Sequence, residues 1–284
     1  MNAKFRFPGY TMALTVALLA GCATKPPAPA NAIKPYKIIL IGDSTVAVQG
    51  GWGSSFCSEH VTSFVACLNL ARGGRSSGSY ISEGSWAVAV NEAAVKSFVT
   101  TWVLIQFGHN DQPGKPGRST DLATEYPANL ARYVRETRAV GAVPVLVTPL
   151  TRRIFKDGQL QNDLPPWGDA MKRVAAELEV PLIDLNALSS AAVQTMGSTR
   201  ANVFALSAPS EAVAAASATG TTIAATTGVT ETNDPPSTAV PGMAQPKRPF
   251  DYTHLGREGS DYFAAMMTME LARQLPDLRP LLIP

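Results

Sequence analysis

Short apolar runs from Tyr36 onward each end abruptly in small or polar residues. A continuous apolar run is typical of a strand in a parallel sheet that is covered on both faces. Between the runs, apolar residues recur at the spacing of a helix that packs on one face. The pattern predicts an α/β fold of three layers around a central parallel sheet of about five strands. The predicted strands cover residues 37–41, 65–70, 102–107, 143–147 and 181–185, and the predicted helices cover residues 85–99, 126–140, 166–178 and 256–275.

Polar clusters follow three of these strands, and a fourth cluster precedes the last helix. Ligands of α/β folds bind at the carboxyl ends of the strands, which share one edge of the sheet. The sequence therefore predicts one site assembled from several loops. The clusters are Gly42-Asp43-Ser44, Gly73-Gly74-Arg75-Ser76, Gly108-His109-Asn110-Asp111 and Asp251-Tyr252-Thr253-His254.

The residue types in these clusters suit nucleophilic catalysis. Three-residue spacing puts Asp251 and His254 on one side of a turn, where the carboxylate can hold Nδ1–H and present Nε2 to a nucleophile. Ser44 is the best candidate for that nucleophile, because a serine hydroxyl is inert at neutral pH without such a base. The backbone amides of Ser44 and Gly74 and the side chain of Asn110 are candidate donors to a developing oxyanion.

These four blocks, in this order, resemble those of the SGNH (GDSL-type) hydrolases. Further details are similar to the rhamnogalacturonan acetylesterase group, namely Gly51-Trp52-Gly53, Arg75-Ser76-Ser77, residues 148–153 with Phe155, and Leu255 after His254. The resemblance implies a flavodoxin-like sheet, with Ser44 as nucleophile, His254 as base, Asp251 as its orienting carboxylate, and Ser44, Gly74 and Asn110 as oxyanion donors. It implies no metal and no cofactor. Gly-x-Ser-x-Gly, the signature of another hydrolase fold, does not surround Ser44.

Four residues are candidate substrate contacts. Arg152 and Arg153 could clamp a uronate carboxylate, with a solvated surface pair as the alternative. Trp52 could stack on a sugar ring, although most tryptophans pack in a core. His109 could contact substrate, shape the site or support its loop, and a metal pair with Asp111 is the remaining alternative.

The 284 residues are only 16% charged, and the charge is unevenly placed. The first 35 residues hold four charges, two of which (Lys4 and Arg6) precede an apolar stretch over residues 10–20. That arrangement is typical of a secretory signal. Leu19-Ala20-Gly21-Cys22 resembles the lipobox of bacterial lipoproteins, which implies cleavage after residue 21 and lipidation of Cys22; an ordinary signal is the alternative.

We therefore expect a signal over residues 1–21, a Pro/Ala-rich tether over 22–35 and the catalytic domain over 36–284. Ala23 after the lipidated residue is similar to lipoproteins sorted to the outer membrane, so the expected location is the bacterial cell envelope, facing the periplasm or the cell surface. In that oxidising compartment Cys57 and Cys67 could form a disulfide, and a nucleophilic cysteine is the alternative.

Residues 201–246 are expected to interrupt the catalytic domain. Ala, Thr, Pro and Ser occupy 29 of these 46 positions, and such a composition buries little apolar surface. The segment is predicted to be a solvated, partly disordered insertion, with a mobile flap as the alternative.

The resemblance implies a serine esterase that removes O-acetyl groups from a cell-wall polysaccharide, with pectic rhamnogalacturonan as the favoured substrate. Another acetylated glycan, a small acyl ester, and a catalytically silent glycan-binding lipoprotein are the alternatives. A formal net charge of +2 without a basic run argues against nucleic acid as a partner. The membrane, through the N-terminal lipid, is the expected second partner, and the chain is expected to act as a monomer.

Overall fold

The computed structural model describes residues 34–225 and 249–284. The predicted signal, Cys22 and residues 226–246 of the predicted insertion lie outside these residues. In the two described ranges, none of the helices combines the length and the apolar character needed to cross a membrane. The described strands are β1 (Tyr36–Gly42), β2 (Val65–Asn69), β3 (Thr101–Gln106), β4 (Val143–Val147), β5 (Phe155–Lys156), β6 (Gln159–Leu160) and β7 (Leu182–Ile183). The described α-helices are α1 (Gly53–Glu59), α2 (Ser77–Ser82), α3 (Ser85–Ala93), α4 (Glu125–Ala139), α5 (Pro165–Glu177), α6 (Leu185–Ala201), α7 (Glu211–Ala218) and α8 (Arg257–Gln274).

Five parallel strands form the central sheet in the order β2-β1-β3-β4-β7, which confirms the predicted fold class. Successive side chains of a strand point to opposite faces of its sheet. Ile38 and Leu40 of β1 therefore pack into a core with α1, α6 and α8, whereas Ile39 and Ile41 pack into a second core with α3, α4 and α5. Both faces of the sheet are covered, and this is why its strands are continuously apolar.

Parallel pairing brings three strand ends to one edge of the sheet. Gly42 at the end of β1 pairs in register with Gln106 at the end of β3. On the other side of β1, the Arg72 amide donates to the Gly42 carbonyl at 3.0 Å. The loops that follow β1, β2 and β3 therefore start side by side, and these loops carry Ser44, Gly74 and Asn110.

A disulfide joins Cys57 on α1 to Cys67 on β2, with their Cα atoms 5.4 Å apart. It ties α1, the helix that follows residues 43–52 (the Ser44 loop), to the edge strand of the sheet. Both sulfurs are consumed in the bond, so neither cysteine offers a nucleophilic thiol.

Residues 201–225, the described part of the predicted insertion, are folded and include α7, which corrects the expectation of a partly disordered segment there. Most of these residues are exposed or half-buried, as expected of a solvated segment, and a few buried side chains attach them to the rest of the protein. Phe204 is buried against Phe263 of α8. Ser217 of α7 accepts a hydrogen bond at its hydroxyl from Asn202 and one at its carbonyl from Ser198. Small side chains and hydroxyl groups let these backbones approach closely and pair, so an Ala- and Thr-rich composition did not exclude a packed segment here.

Candidate active site

Ser44 lies in a turn at the end of β1 that a buried polar network holds. The Asp43 carboxylate accepts hydrogen bonds from the Thr45 amide (2.8 Å) and hydroxyl (2.7 Å). Gln106 donates to the Thr45 hydroxyl at 2.7 Å and accepts from the Trp52 indole at 3.0 Å. All four of these partners are buried, whereas Ser44 keeps 8% of its surface exposed. The network therefore fixes the backbone on both sides of the serine.

Asp251 and His254 form the pair that the spacing predicted. The carboxylate oxygen Oδ2 lies 2.7 Å from His254 Nδ1, and Oδ1 accepts from the amides of Thr253 (2.7 Å) and His254 (2.6 Å). Burial raises the pKa of the Asp251 carboxyl, but the hydrogen bonds and the charge of His254 outweigh burial and lower that pKa to about 2. An ionised carboxylate at Nδ1 favours the tautomer in which Nε2 accepts a proton.

The histidine turn packs on the loop that Ser44 begins. The Leu255 amide donates to the Gly50 carbonyl at 2.8 Å. Gly50 has a φ of +88°, and a Cβ at this position would lie 3.2 Å from Cδ2 of the His254 ring. Glycine here meets two needs at once, because it supplies a left-handed backbone and leaves room for the imidazole. The structure thus brings His254 to the Ser44 loop across about 200 residues of sequence.

The two remaining oxyanion candidates lie in neighbouring loops that are hydrogen-bonded together. Gly74, in the loop between β2 and α2 (residues 70–76, the Gly74 loop), has a φ of +77°. Asn110 donates from Nδ2 to the Arg75 carbonyl at 3.1 Å, and the Asp111 carboxylate accepts from the Ser77 amide and hydroxyl. The second hydrogen of the Asn110 amide remains a donor. Burial raises the pKa of Asp111 to about 6, although the hydrogen bonds from Ser77 oppose that rise.

His109 is buried and does not lie on a substrate surface, so its assignment as a substrate contact is wrong. Its Nδ1 lies 3.5 Å from Oδ2 of Asp43, on the side of that carboxylate away from Thr45. Burial lowers the pKa of His109, with the Asp43 carboxylate acting in the opposite direction. The Asp111 carboxylate accepts a hydrogen bond from Ser77 instead, so the two side chains do not form a metal-binding pair. His109 therefore lies inside the protein against Asp43, the residue that precedes Ser44.

Trp52 is fully buried, so the expected stacking on a sugar ring is also wrong. Its ring packs edge-on against Phe56, and its indole N–H holds the Gln106 amide in the orientation that serves Thr45. The tryptophan acts on the site through this network and not through substrate. Gln106 was missed by the sequence analysis, although a polar residue inside a continuous apolar run is a signal for a buried partner.

Arg153 holds the catalytic turn from inside the protein, which corrects its assignment as a uronate clamp. Its guanidinium is buried and donates to the carbonyls of Asp251 (2.9 Å), His254 (2.9 Å) and Thr253 (3.3 Å). Its backbone amide donates to the Tyr252 carbonyl at 2.9 Å. Burial lowers the pKa of Arg153 to about 10, against the attraction of Asp251. Arg153 is therefore a positioning residue for the Asp251–His254 turn.

Unlike Arg153, Arg152 pairs with two side chains outside the catalytic turn. One guanidinium nitrogen lies 2.5 Å from the Asp163 carboxylate, and another donates to Gln112 at 2.8 Å. A substrate carboxylate would have to displace Asp163 from this arginine.

A family model described as the GDSL-like lipase/acylhydrolase family matches residues 40–204, which include Ser44, Gly74 and Asn110. The curated protein "Probable rhamnogalacturonan acetylesterase YesY" of Bacillus subtilis is 39% identical over 155 residues, 52% of this chain and 69% of the relative. Rhamnogalacturonan acetylesterase RhgT of the same organism is 37% identical over 174 residues, 58% of this chain and 71% of the relative. The crystal structure of the Bacillus subtilis protein YxiM shares the fold, with a TM-score of 0.60 at 21% identity over 84% of this chain and 57% of that one.

Proposed function

The chain belongs to the GDSL-like lipase/acylhydrolase family and is a carboxylic ester hydrolase, and from that premise we propose that it removes O-acetyl groups from pectic rhamnogalacturonan. The observation that carries the chemistry is the 2.7 Å contact between Asp251 and His254 Nδ1, on a turn that packs against the Ser44 loop. The substrate class is supported by two relatives, 37% and 39% identical, that are named rhamnogalacturonan acetylesterases.

In the proposed reaction Ser44 Oγ attacks the carbonyl carbon of the acetyl group, and His254 Nε2 takes the hydroxyl proton. The amides of Ser44 and Gly74 and Nδ2 of Asn110 donate to the oxyanion that forms. The C–O bond to the sugar then breaks, and His254 returns the proton to the leaving sugar hydroxyl. His254 then deprotonates a water molecule, which attacks the carbonyl carbon of the acetyl-serine. The ester bond to Ser44 Oγ breaks, His254 returns the proton to Oγ, and acetate leaves. Each of these groups comes from one chain, so the proposal needs only a monomer.

The substrate is tested by measuring acetate released from acetylated rhamnogalacturonan, acetylated xylan and a chromogenic acetyl ester under matched conditions. We expect kcat/KM per acetyl group to be about tenfold or more higher on rhamnogalacturonan than on xylan, because a site shaped for one sugar chain loses contacts with another. Equal rates on both polymers would contradict the pectin assignment and would leave a general acetylesterase.

We also propose that the protein is held in the bacterial cell envelope, at the outer membrane, by lipid on Cys22. Lys4 and Arg6, the apolar stretch over residues 10–20 and Leu19-Ala20-Gly21-Cys22 support this proposal. Several acyl chains on one residue would anchor it far more firmly than a single chain. Cells fed a labelled fatty acid are expected to label the wild type and not Cys22→Ala, and equal labelling of both would rule out this anchor.

A further inference from the structure

Arg118 lies where a polar cleft meets the Gly74 loop. Its Nη1 donates to the Gly74 carbonyl at 3.4 Å, and the same side chain lines a cleft of about 370 Å³. That volume is within the usual range for small-ligand sites. The cleft lies between α2, the start of α4 and the loop that follows Asp111, and its other polar lining residues include Ser82, Ser119 and Asn129. It contains hydroxyl and amide groups, which suit a sugar, one cation, Arg118, where it meets Gly74, and one carboxylate, Glu125, which accepts a hydrogen bond from the Asp121 amide at 2.7 Å.

The loop that carries Arg118 is held close to the active site at both ends. It begins directly after Asn110 and Asp111, and the Thr120 amide donates back to the Asp111 carbonyl at 3.0 Å. Inside the loop, the amides of Arg118 and Ser119 donate to one carbonyl, that of Lys115, at 3.0 Å and 2.9 Å. The guanidinium is therefore presented from an ordered turn beside a proposed oxyanion donor.

The Arg118 side chain makes only one long hydrogen bond among the described residues, whereas the other arginines near the site have closer partners. Arg72 donates to the Ser85 hydroxyl at 3.0 Å, Arg75 is paired with Glu83, Arg152 is paired with Asp163, and Arg153 is buried under the catalytic turn. Within residues 34–225 and 249–284, no carboxylate lies within 4.0 Å of the Arg118 guanidinium. Its one long bond to a neutral carbonyl is weak, and the planar fork of a guanidinium is better matched by a carboxylate.

We propose that Arg118 binds the carboxylate of a galacturonate residue in the same polysaccharide chain whose acetyl group is bound at Ser44. The inference rests on the proposed function, because a rhamnogalacturonan backbone contains galacturonate whereas the xylose backbone of xylan carries no carboxylate. With the acetyl group at Ser44 and Gly74, the polymer would continue into the cleft, and a galacturonate of the bound chain would meet Arg118. The arginine would thus select an acidic polysaccharide over a neutral one.

The test compares kcat/KM of Arg118→Gln and wild type on acetylated rhamnogalacturonan and on a chromogenic acetyl ester. The ratio of the two values, polymer to ester, is expected to fall about tenfold in Arg118→Gln, the usual scale for losing one charge-assisted hydrogen-bonded pair at a half-exposed site. Arg173→Gln makes the same change of charge on the exposed face of α5 and should keep the wild-type ratio.

A second experiment measures kcat/KM on rhamnogalacturonan whose uronate carboxyls have been reduced to alcohols. On the reduced polymer, the kcat/KM of the wild type should fall by about the same factor as the kcat/KM of Arg118→Gln falls on the native polymer. Reducing the polymer should lower the kcat/KM of Arg118→Gln little further. An unchanged ratio in Arg118→Gln would overturn the inference. If that unchanged ratio comes from equal losses of kcat/KM on polymer and ester, Arg118 supports Gly74 instead of binding substrate. A wild type that cleaves the ester and releases no acetate from rhamnogalacturonan would instead overturn the proposed function.

Discussion

Ser44→Ala is expected to lower kcat/KM for acetyl-ester hydrolysis by about 10⁴-fold or more. Without Oγ no acetyl-enzyme can form, and the Asp251–His254 pair alone can only assist water. The backbone amide of residue 44 is retained, so the residual rate measures what the oxyanion donors and substrate binding contribute without the nucleophile. The measurement is acetate release or chromophore release at saturating and at low substrate.

A fluorophosphonate probe provides the control for this substitution, because it labels a serine only where a base activates the hydroxyl. Wild type and Ser58→Ala, which alters an exposed serine on α1, should be labelled equally. Labelling that survives in Ser44→Ala, or its absence in the wild type, would refute Ser44 as nucleophile. The second result would favour the catalytically silent glycan-binding alternative.

Arg153→Met is expected to lower kcat on a small acetyl ester by about 100-fold with little change in KM. The methionine keeps most of the buried volume but removes the donors that hold the carbonyls of Asp251, Thr253 and His254. A turn that can shift by a fraction of an ångström misplaces the imidazole, and catalysis is sensitive to displacements of that size. The buried carbonyls also lose their partners, so stability should fall by about 2 to 4 kcal/mol.

Two further variants separate positioning from folding. Arg153→Lys retains a donor that can reach some of these carbonyls, and it should recover part of kcat. Arg152→Met, next in sequence but paired with Asp163 near the surface, should keep kcat on the small ester within about twofold. All assays are run below the unfolding midpoint of the weakest variant. A folded Arg153→Met enzyme with wild-type kcat would show that the guanidinium only stabilises the protein.

The corrections to the site follow one physical pattern. The spacing of Asp251 and His254 already predicted their pairing, because the contact is local and three residues fix it. The partners of Arg153 lie 98 to 101 residues away, and Trp52 meets Gln106 across 54 residues. Nothing local to either residue distinguishes a buried anchor from an exposed substrate contact. Their assignments as substrate contacts failed because sequence alone does not show which face of a loop is covered.

The folded part of residues 201–225 was missed for a related reason. Composition indicated too little apolar surface for a domain, and this holds for the segment in isolation. In the structure Phe204 packs on α8, and the Thr222 hydroxyl and amide pair with the backbone of Phe155. The partners that bury this segment come from the rest of the protein, so its composition alone could not predict its folding.

The sequence by itself determined the five strands of the central sheet, the helices α3, α4, α5 and α8, the sheet edge at which the site forms, and the residue types that can act there. These follow from the local periodicity of apolar residues and from short spacings, which each segment carries without its neighbours. Tertiary structure alone decided which arginine supports the catalytic turn, which is paired at the surface and which faces the cleft beside Gly74. The physical reason is that burial and pairing depend on groups far away in the chain. These groups decide whether a guanidinium is paired within the protein or can bind substrate.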